Sequence, residues 1–292
     1  MIWILATVLA TGFQVARNAA QRDLVADAGP WGATLVRFLF GLPFSLLFVT
    51  IAWFLAGRLH PRLSVGYLGF ALSGAVTQVL ATAALLVSMR RAGFAVGTAM
   101  QQSSLPLSAV LGWMIFHDRL SASGWTGVAV ASLGLAMLLR PGGAGPKPVS
   151  GAGFGLLSGL CFGFSLNAYR HAAITLEPVH PVFSAVATVA VTQAAQSVGL
   201  VVYLAWRHPW ALRAVGASWR RSLFAGFCGA TASAGWLLAL ALAPAASVRA
   251  VGMVESPIAA LAGRRLFKER LTLLQWMGGA VSALGVVLTA LG

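Results

Sequence analysis

Apolar residues along this chain run on in stretches of about twenty, separated by short clusters rich in Arg, Pro, Gly and Ser. A helix needs roughly 20 mainly apolar residues to cross about 30 Å of hydrocarbon. Ten such runs can be placed, near 2–20, 31–56, 65–89, 92–116, 124–140, 151–172, 182–205, 222–243, 246–267 and 271–291. They are too long for membrane strands and lack strict alternation, so the pattern predicts an all-α integral membrane protein with ten transmembrane helices. The turn-rich segment Pro141 to Pro148 divides the chain almost in half. The expected organisation is a first five-helix repeat over 1–140, a linker over 141–150 and a second repeat over 151–292.

Composition sharpens this picture. Of 292 residues, 59% are hydrophobic and 9% charged, against about 25% charged in ordinary soluble proteins. Six acids and twenty bases cannot cover a soluble enzyme of this length, so the surface must face lipid. A mean hydropathy of +0.84 argues against disorder. Cys161 and Cys228 both sit inside apolar runs and read as packing residues. The net charge of +14 comes from bases scattered singly or in pairs, with no basic face for nucleic acid. Met1-Ile2-Trp3 lacks the basic start of a secretory signal, so the first run is expected to be retained.

Laying residue i on i+151 brings the ends of the two halves into register. Matches include Pro106/Pro257, Gly112/Gly263, Arg119/Arg270, Trp125/Trp276, Gly127/Gly278 and Gly134/Gly285, while the middle runs need a shift of about four residues, with Gly74 opposite Gly229. An odd number of spans per repeat turns the second copy upside down, so equivalent loops should differ in charge. They do. Arg90 and Arg91 lie in loop 3–4 and no base in loop 8–9; Arg264, Arg265, Lys268 and Arg270 face only Arg119; loop 7–8 outweighs loop 2–3, and loop 1–2 with Arg17 and Arg22 outweighs loop 6–7. Every comparison puts both termini outside. Inverted repeats around a central cavity are an architecture of alternating-access transporters, with the substrate site near the midplane.

The Arg37-Phe38 pair, and the repeated endings Pro106…Gly112…Asp118-Arg119-Leu120 and Pro257…Gly263…Glu269-Arg270-Leu271, resemble EamA-type members of the drug/metabolite transporter superfamily. Length and layout are similar to YddG-like amino-acid exporters within it. The resemblance implies secondary transport of a small-molecule substrate, most simply an amino acid, out of the cytoplasm across a bacterial inner membrane, without a cofactor. Exporters selective for aromatic amino acids would be expected to line their cavity with aromatic groups. Here Gln78, Thr82 and Gln101 stand where such groups would be sought, which favours a broader amino-acid or metabolite specificity.

Run four places Gly97, Gln101, Ser104 and Ser108 on one face, a polar stripe that in lipid should point inward. Pro106 and Pro257 are expected to break their helices and free the carbonyls of Gln102 and Met253 for a substrate ammonium, or only to kink them. Glu255 is the only acid deep inside an apolar run, and the repeat sets it opposite Ser104. A carboxyl there is costly, so it exchanges protons, binds a substrate amine, or pairs with Arg37 or Arg249. Arg249, about one turn inside its run, is expected to snorkel to the outer interface; Arg37 is either structural or substrate-binding. Gln14, Arg17 and Asn18 at the end of run one, and Tyr169 and His171 at the end of run six, are candidate gates at opposite mouths, against plain interfacial anchoring. Gly151, Gly155, Gly159 and Gly163 form a ridge that reads as a close helix contact. Phe164 and Trp236 are candidate cavity aromatics, or core.

No nucleotide-binding loop is present, so coupling would come from gradients, with protons as a possible partner. Multidrug efflux is the nearest alternative. A membrane lipid-modifying enzyme would need clustered acids, which this pattern does not offer, and no metal site is expected. A monomer suffices for the whole architecture.

Overall fold

The computed structural model describes residues 2–61, 63–117, 121–138, 149–255, 258, 261–262, 265 and 272–291. Every regular element among them is helical: α1 (Ile2–Leu39), α2 (Leu42–Leu55), α3 (Val65–Ala92), α4 (Phe94–Gln101), α5 (Ser104–Ile115), α6 (Ala122–Leu138), α7 (Val149–Leu176), α8 (Pro181–Arg207), α9 (Pro209–Ala217), α10 (Trp219–Leu242), α11 (Ala245–Val251), a 3₁₀ turn (Gly252–Val254) and α12 (Leu273–Leu291). Among the described residues, five stretches are long and apolar enough to cross a membrane: Ile2–Leu55, Val65–Ala92, Gly151–Leu176, Pro181–Arg207 and Trp219–Leu242. Large apolar side chains such as Leu46, Ile51, Phe54, Val198 and Val202 are half or more exposed, while Arg17, Gln21, Thr34, Ser104 and Glu255 are fully buried. This inside-out distribution suits a lipid solvent, where polar groups must find partners within the protein.

The residues cluster into two compact units: 1–79 with 168–243, and 80–167 with 244–292. Each unit draws helices from both halves of the sequence. In the first, α1 packs along α10, and α8 packs on α1, α2 and α10. The expected loop between runs one and two is absent. α1 continues through Gln21 to Ala28 and bends only at Gly29, whose φ of 68° lies in the left-handed region. Polar residues at 21–27 had marked a loop, but Gln21 is buried and donates from Nε2 to the Ala33 carbonyl at 2.7 Å. Run two is divided between α1 and α2 at Phe40-Gly41. The sequence between runs seven and eight forms a further helix, α9, which lays Ala211 and Val215 against Gly32 of α1. Trp206 and Trp219 flank it, exposed and stacked with Arg207 and Arg220, as aromatic and basic groups do at a headgroup interface.

In the second unit α6 packs along α12 in a reciprocal contact. A Cβ at Gly134 would lie 2.6 Å from the Gly278 carbonyl, and one at Gly285 would lie 2.6 Å from the Gly127 carbonyl. Both pairs are equivalent under the 151-residue shift, as are Ser282 and Ala131, which share a hydrogen bond of 3.3 Å. When residue i meets j and the copy of j meets the copy of i, the two segments are related by a twofold operation.

Candidate functional site

Polar side chains gather at one place in the second unit, where two helices are interrupted at equivalent positions. Between α4 and α5, Gln102 and Ser103 form a turn; 151 residues on, Met253 lies at the centre of the 3₁₀ turn after α11. The interruption after Gln101 falls four residues before Pro106, where the ring removes a helical hydrogen bond. It does not leave an open carbonyl. The Gln102 oxygen accepts from Leu105 N–H at 2.9 Å, and the Met100 oxygen from Ser103 N–H at 3.1 Å. The chain tightens to i+3 bonding and satisfies its backbone, so the expectation of a freed Gln102 carbonyl is corrected. Met253 is buried in an apolar cluster with Leu105, Ala131 and Ala250, and the Glu255 N–H reaches the Gly252 and Met253 carbonyls. Pro257 lies outside the described residues.

Arg249 on α11 ties the two interruptions together. Its Nε donates to Ser104 Oγ at 2.7 Å, and Nη2 donates to Gln102 Oε1 and lies 3.3 Å from Glu255 Oε2. Gln102 in turn donates from Nε2 to Glu255 Oε2 at 3.2 Å. Arg249 is 2% exposed and Glu255 0%. The expectation that Arg249 snorkels to the interface is therefore overturned: a carboxylate six residues on offers it a stronger partner inside. The other carboxylate oxygen, Oε1, is buried and has no hydrogen-bond partner among the described residues. Gln101 is also buried, and its Oε1 likewise lacks a partner among the described residues. The arrangement is a near-neutral ion pair with one unspent acceptor, chemistry suited to a ligand N–H or O–H, or to a proton.

The glycine ridge of α7 holds this interruption from behind. A Cβ at Gly155 would meet Met100, one at Gly159 would meet Ser103 and the Ser104 nitrogen, and one at Gly163 would come 3.0 Å from the Ser108 nitrogen. Asn167 extends the seam, donating from Nδ2 to the Ser108 and Gly163 carbonyls at 2.9 Å each. Of the other residues expected at the site, Thr82 is buried in this unit and Phe164 packs 5.7 Å from Phe116.

Gln78 and Trp236 belong instead to the first unit. There Tyr169 donates to Gln78 Oε1 at 2.9 Å, and Gln196 of α8, unremarked in the sequence, donates to the Ala75 carbonyl at 3.0 Å and to Gln78 Oε1 at 2.9 Å. Trp236 is buried on α10. The residues expected as gates, Gln14, Arg17, Asn18, Tyr169 and His171, all fall in this unit. Arg17 is fully buried, donating to Asn18 Oδ1 at 2.6 Å, so interfacial anchoring does not describe it. Arg37 donates to Ser233 Oγ at 3.4 Å. The Arg37 and Arg17 stems pass the same glycine, 3.1 and 3.3 Å from where a Gly229 Cβ would sit. Gln14 is buried, and the half-buried His171 ring lies 5.4 Å from Phe70. Arg170 caps the end of α10 through the Leu240 and Ala243 carbonyls.

The profile of the EamA-like transporter family matches residues 1–140 and 149–291. The chain belongs to the EamA-like transporter family. It is a multi-pass membrane protein that carries small molecules across a lipid bilayer. A solved structure titled only "Crystal structure of protein" is similar in fold, with a TM-score of 0.62 and 15% identity over 98% of this chain and 96% of that one. No curated protein matches in sequence. For an EamA-like transporter, a buried ion pair at two tightened helix interruptions is the arrangement to examine for substrate and coupling.

Proposed function

We propose that this EamA-like transporter exports amino acids, by alternating access of two inverted five-helix halves, 1–140 and 151–292, joined by the linker 141–150. Ten spans, termini outside and residence in a bacterial inner membrane complete the reading, supported by the charge asymmetry of equivalent loops. The observation that carries it is the unspent Oε1 of Glu255 beside Arg249. An amino acid's ammonium supplies the donor that this oxygen lacks, and a bound zwitterion leaves the net charge of the pair unchanged. A proton taken up by the same oxygen competes with that ammonium, which provides a route to coupling. In this scheme Gln101 and Ser104 line the path, and Pro106 sets the interruption.

The test is counterflow of radiolabelled amino acids in proteoliposomes, with wild type and Glu255→Gln at several pH values. Saturable counterflow that is lost in the variant, with a pH dependence in wild type, is the expected result. No flux of any amino acid from folded protein overturns the substrate and favours efflux of other compounds. Intact counterflow in Glu255→Gln removes Glu255 from the transport step. Labelling of a cysteine introduced in the Arg264 to Arg270 loop from outside intact cells would overturn the orientation.

A further inference from the structure

In the first unit, α8 carries a second set of buried polar groups. Gln193, Gln196 and Ser197 stand at i, i+3 and i+4 on one face and are 2%, 4% and 4% exposed. Gln196 Nε2 donates to the Ala75 carbonyl at 3.0 Å and to Gln78 Oε1 at 2.9 Å. A carbonyl only accepts, so Ala75 fixes which end of the Gln196 amide is nitrogen. The other end, Oε1, is left buried with no hydrogen-bond partner among the described residues, as are Gln193 Nε2 and Ser197 Oγ. Gln193 Oε1 accepts from Ser45 Oγ at 2.9 Å, but that hydroxyl also reaches the Leu42 carbonyl at 3.0 Å. The Gln193 amide can therefore turn and still be held by Ser45, presenting either a donor or an acceptor.

A polar group unmet in a dry interior is expensive, and an alanine or leucine at any of these positions would avoid the cost. Three within one turn of one helix call for a partner, and a ligand can supply it. We propose that this face of α8 binds a neutral group carrying both a donor and an acceptor, a carboxamide or a hydroxyl. The fixed Gln196 oxygen takes the ligand N–H or O–H. Gln193 or Ser197 donates to the ligand oxygen. A carboxylate has no N–H or O–H to give the fixed Gln196 oxygen, and an ammonium has no acceptor to offer Gln193 or Ser197. The site stands on α8 and its neighbours, independently of Glu255 and of the amino-acid reading.

The experiment uses full-length protein in detergent, measuring thermal unfolding and equilibrium binding of four probes: glutamine, glutamate, methionine and propionamide. The variants are Ser197→Ala, which removes an atom that makes no bond, and Gln193→Met. Expected is tighter binding of the two carboxamides than of glutamate by wild type. In either variant carboxamide affinity falls about threefold to tenfold, the loss of one neutral hydrogen bond, with methionine unchanged. The Ser197→Ala midpoint of unfolding stays level or rises. A lowered midpoint with unaltered probe preference makes these groups structural and overturns the site, as does equal binding of glutamine and glutamate. Propionamide binding without binding of any amino acid sustains the site and defeats the amino-acid reading. Binding of neither carboxamide by folded protein defeats the site whatever the transport result.

Discussion

Removing one partner of the Arg249–Glu255 pair should cost more than removing both. Arg249 is 2% exposed and gives hydrogen bonds to Ser104, Gln102 and Glu255, so Arg249→Met strips three acceptors at once. It also leaves a fully buried carboxylate held only by the Gln102 amide. Breaking a buried pair in this way costs about 3–5 kcal/mol, because the surviving charge has no counter-charge in a low dielectric. Glu255→Leu strands the guanidinium instead and should cost a similar amount. The double variant Arg249→Met/Glu255→Leu buries no charge and keeps roughly the same volume, so it should recover most of the loss, with a coupling larger than about 3 kcal/mol, the cost of either single change. The assay is a double-mutant cycle read by reversible unfolding in mixed micelles, with thermal midpoints as a second readout. Single variants that each lose less than about 1 kcal/mol, or losses that simply add, would show that the two charges are separately solvated and would refute the pair as drawn.

Other expectations follow from close backbone approaches. Gly159→Val should lower the thermal midpoint and abolish transport, because its first carbon meets Ser103 and a backbone nitrogen that cannot yield; normal flux in this variant would show that the ridge slides freely on the interruption. Gly285→Leu should destabilise by a similar mechanism, through the Gly127 carbonyl and the Ala131 nitrogen, and Gly134→Leu should match it closely if the contact is reciprocal. Gly29→Ala places a side chain at φ 68° with Trp210 at 3.3 Å, and should cost about 1–2 kcal/mol in the same unfolding assay. Gly12→Ala, with open space around it, serves as the control and should raise stability slightly.

Hydropathy made the membrane helices legible, and the 151-residue register aligned the glycines that meet as Gly134 with Gly278 and Gly127 with Gly285, although it did not say that they touch; the prolines at 106 and 257 pointed to interrupted helices. Two kinds of feature escaped. Polar residues at 21–27 read as a loop because charge and amide groups mark the outside in water; the helix nevertheless continues, with Asp23 and Asp27 exposed and Gln21 turned inward to the Ala33 carbonyl. The polar stripe test that found Gln101 and Ser104 on run four would have found Gln193 and Gln196 on run seven, to which it was not applied.

For Glu255 the sequence left Arg37 and Arg249 open as partners, and the structure pairs it with Arg249. Six residues apart on an α-helix, two side chains point about 120° away from each other, since each step turns about 100°. Three of those steps run through the 3₁₀ turn Gly252–Val254, where each turns about 120°, which cuts the angle between them to about 60°. The tightened turn is therefore what brings the cation and the carboxylate to the same side of the chain. If that turn relaxed to regular α-helix, the pair would part and Glu255 would have to find a proton or a ligand cation in place of Arg249. Helix winding and charge state at this position are thus linked. A substrate ammonium held by Oε1 alone leaves the ion pair and the tight turn in place, whereas one that takes both carboxylate oxygens displaces Arg249 and favours the relaxed turn.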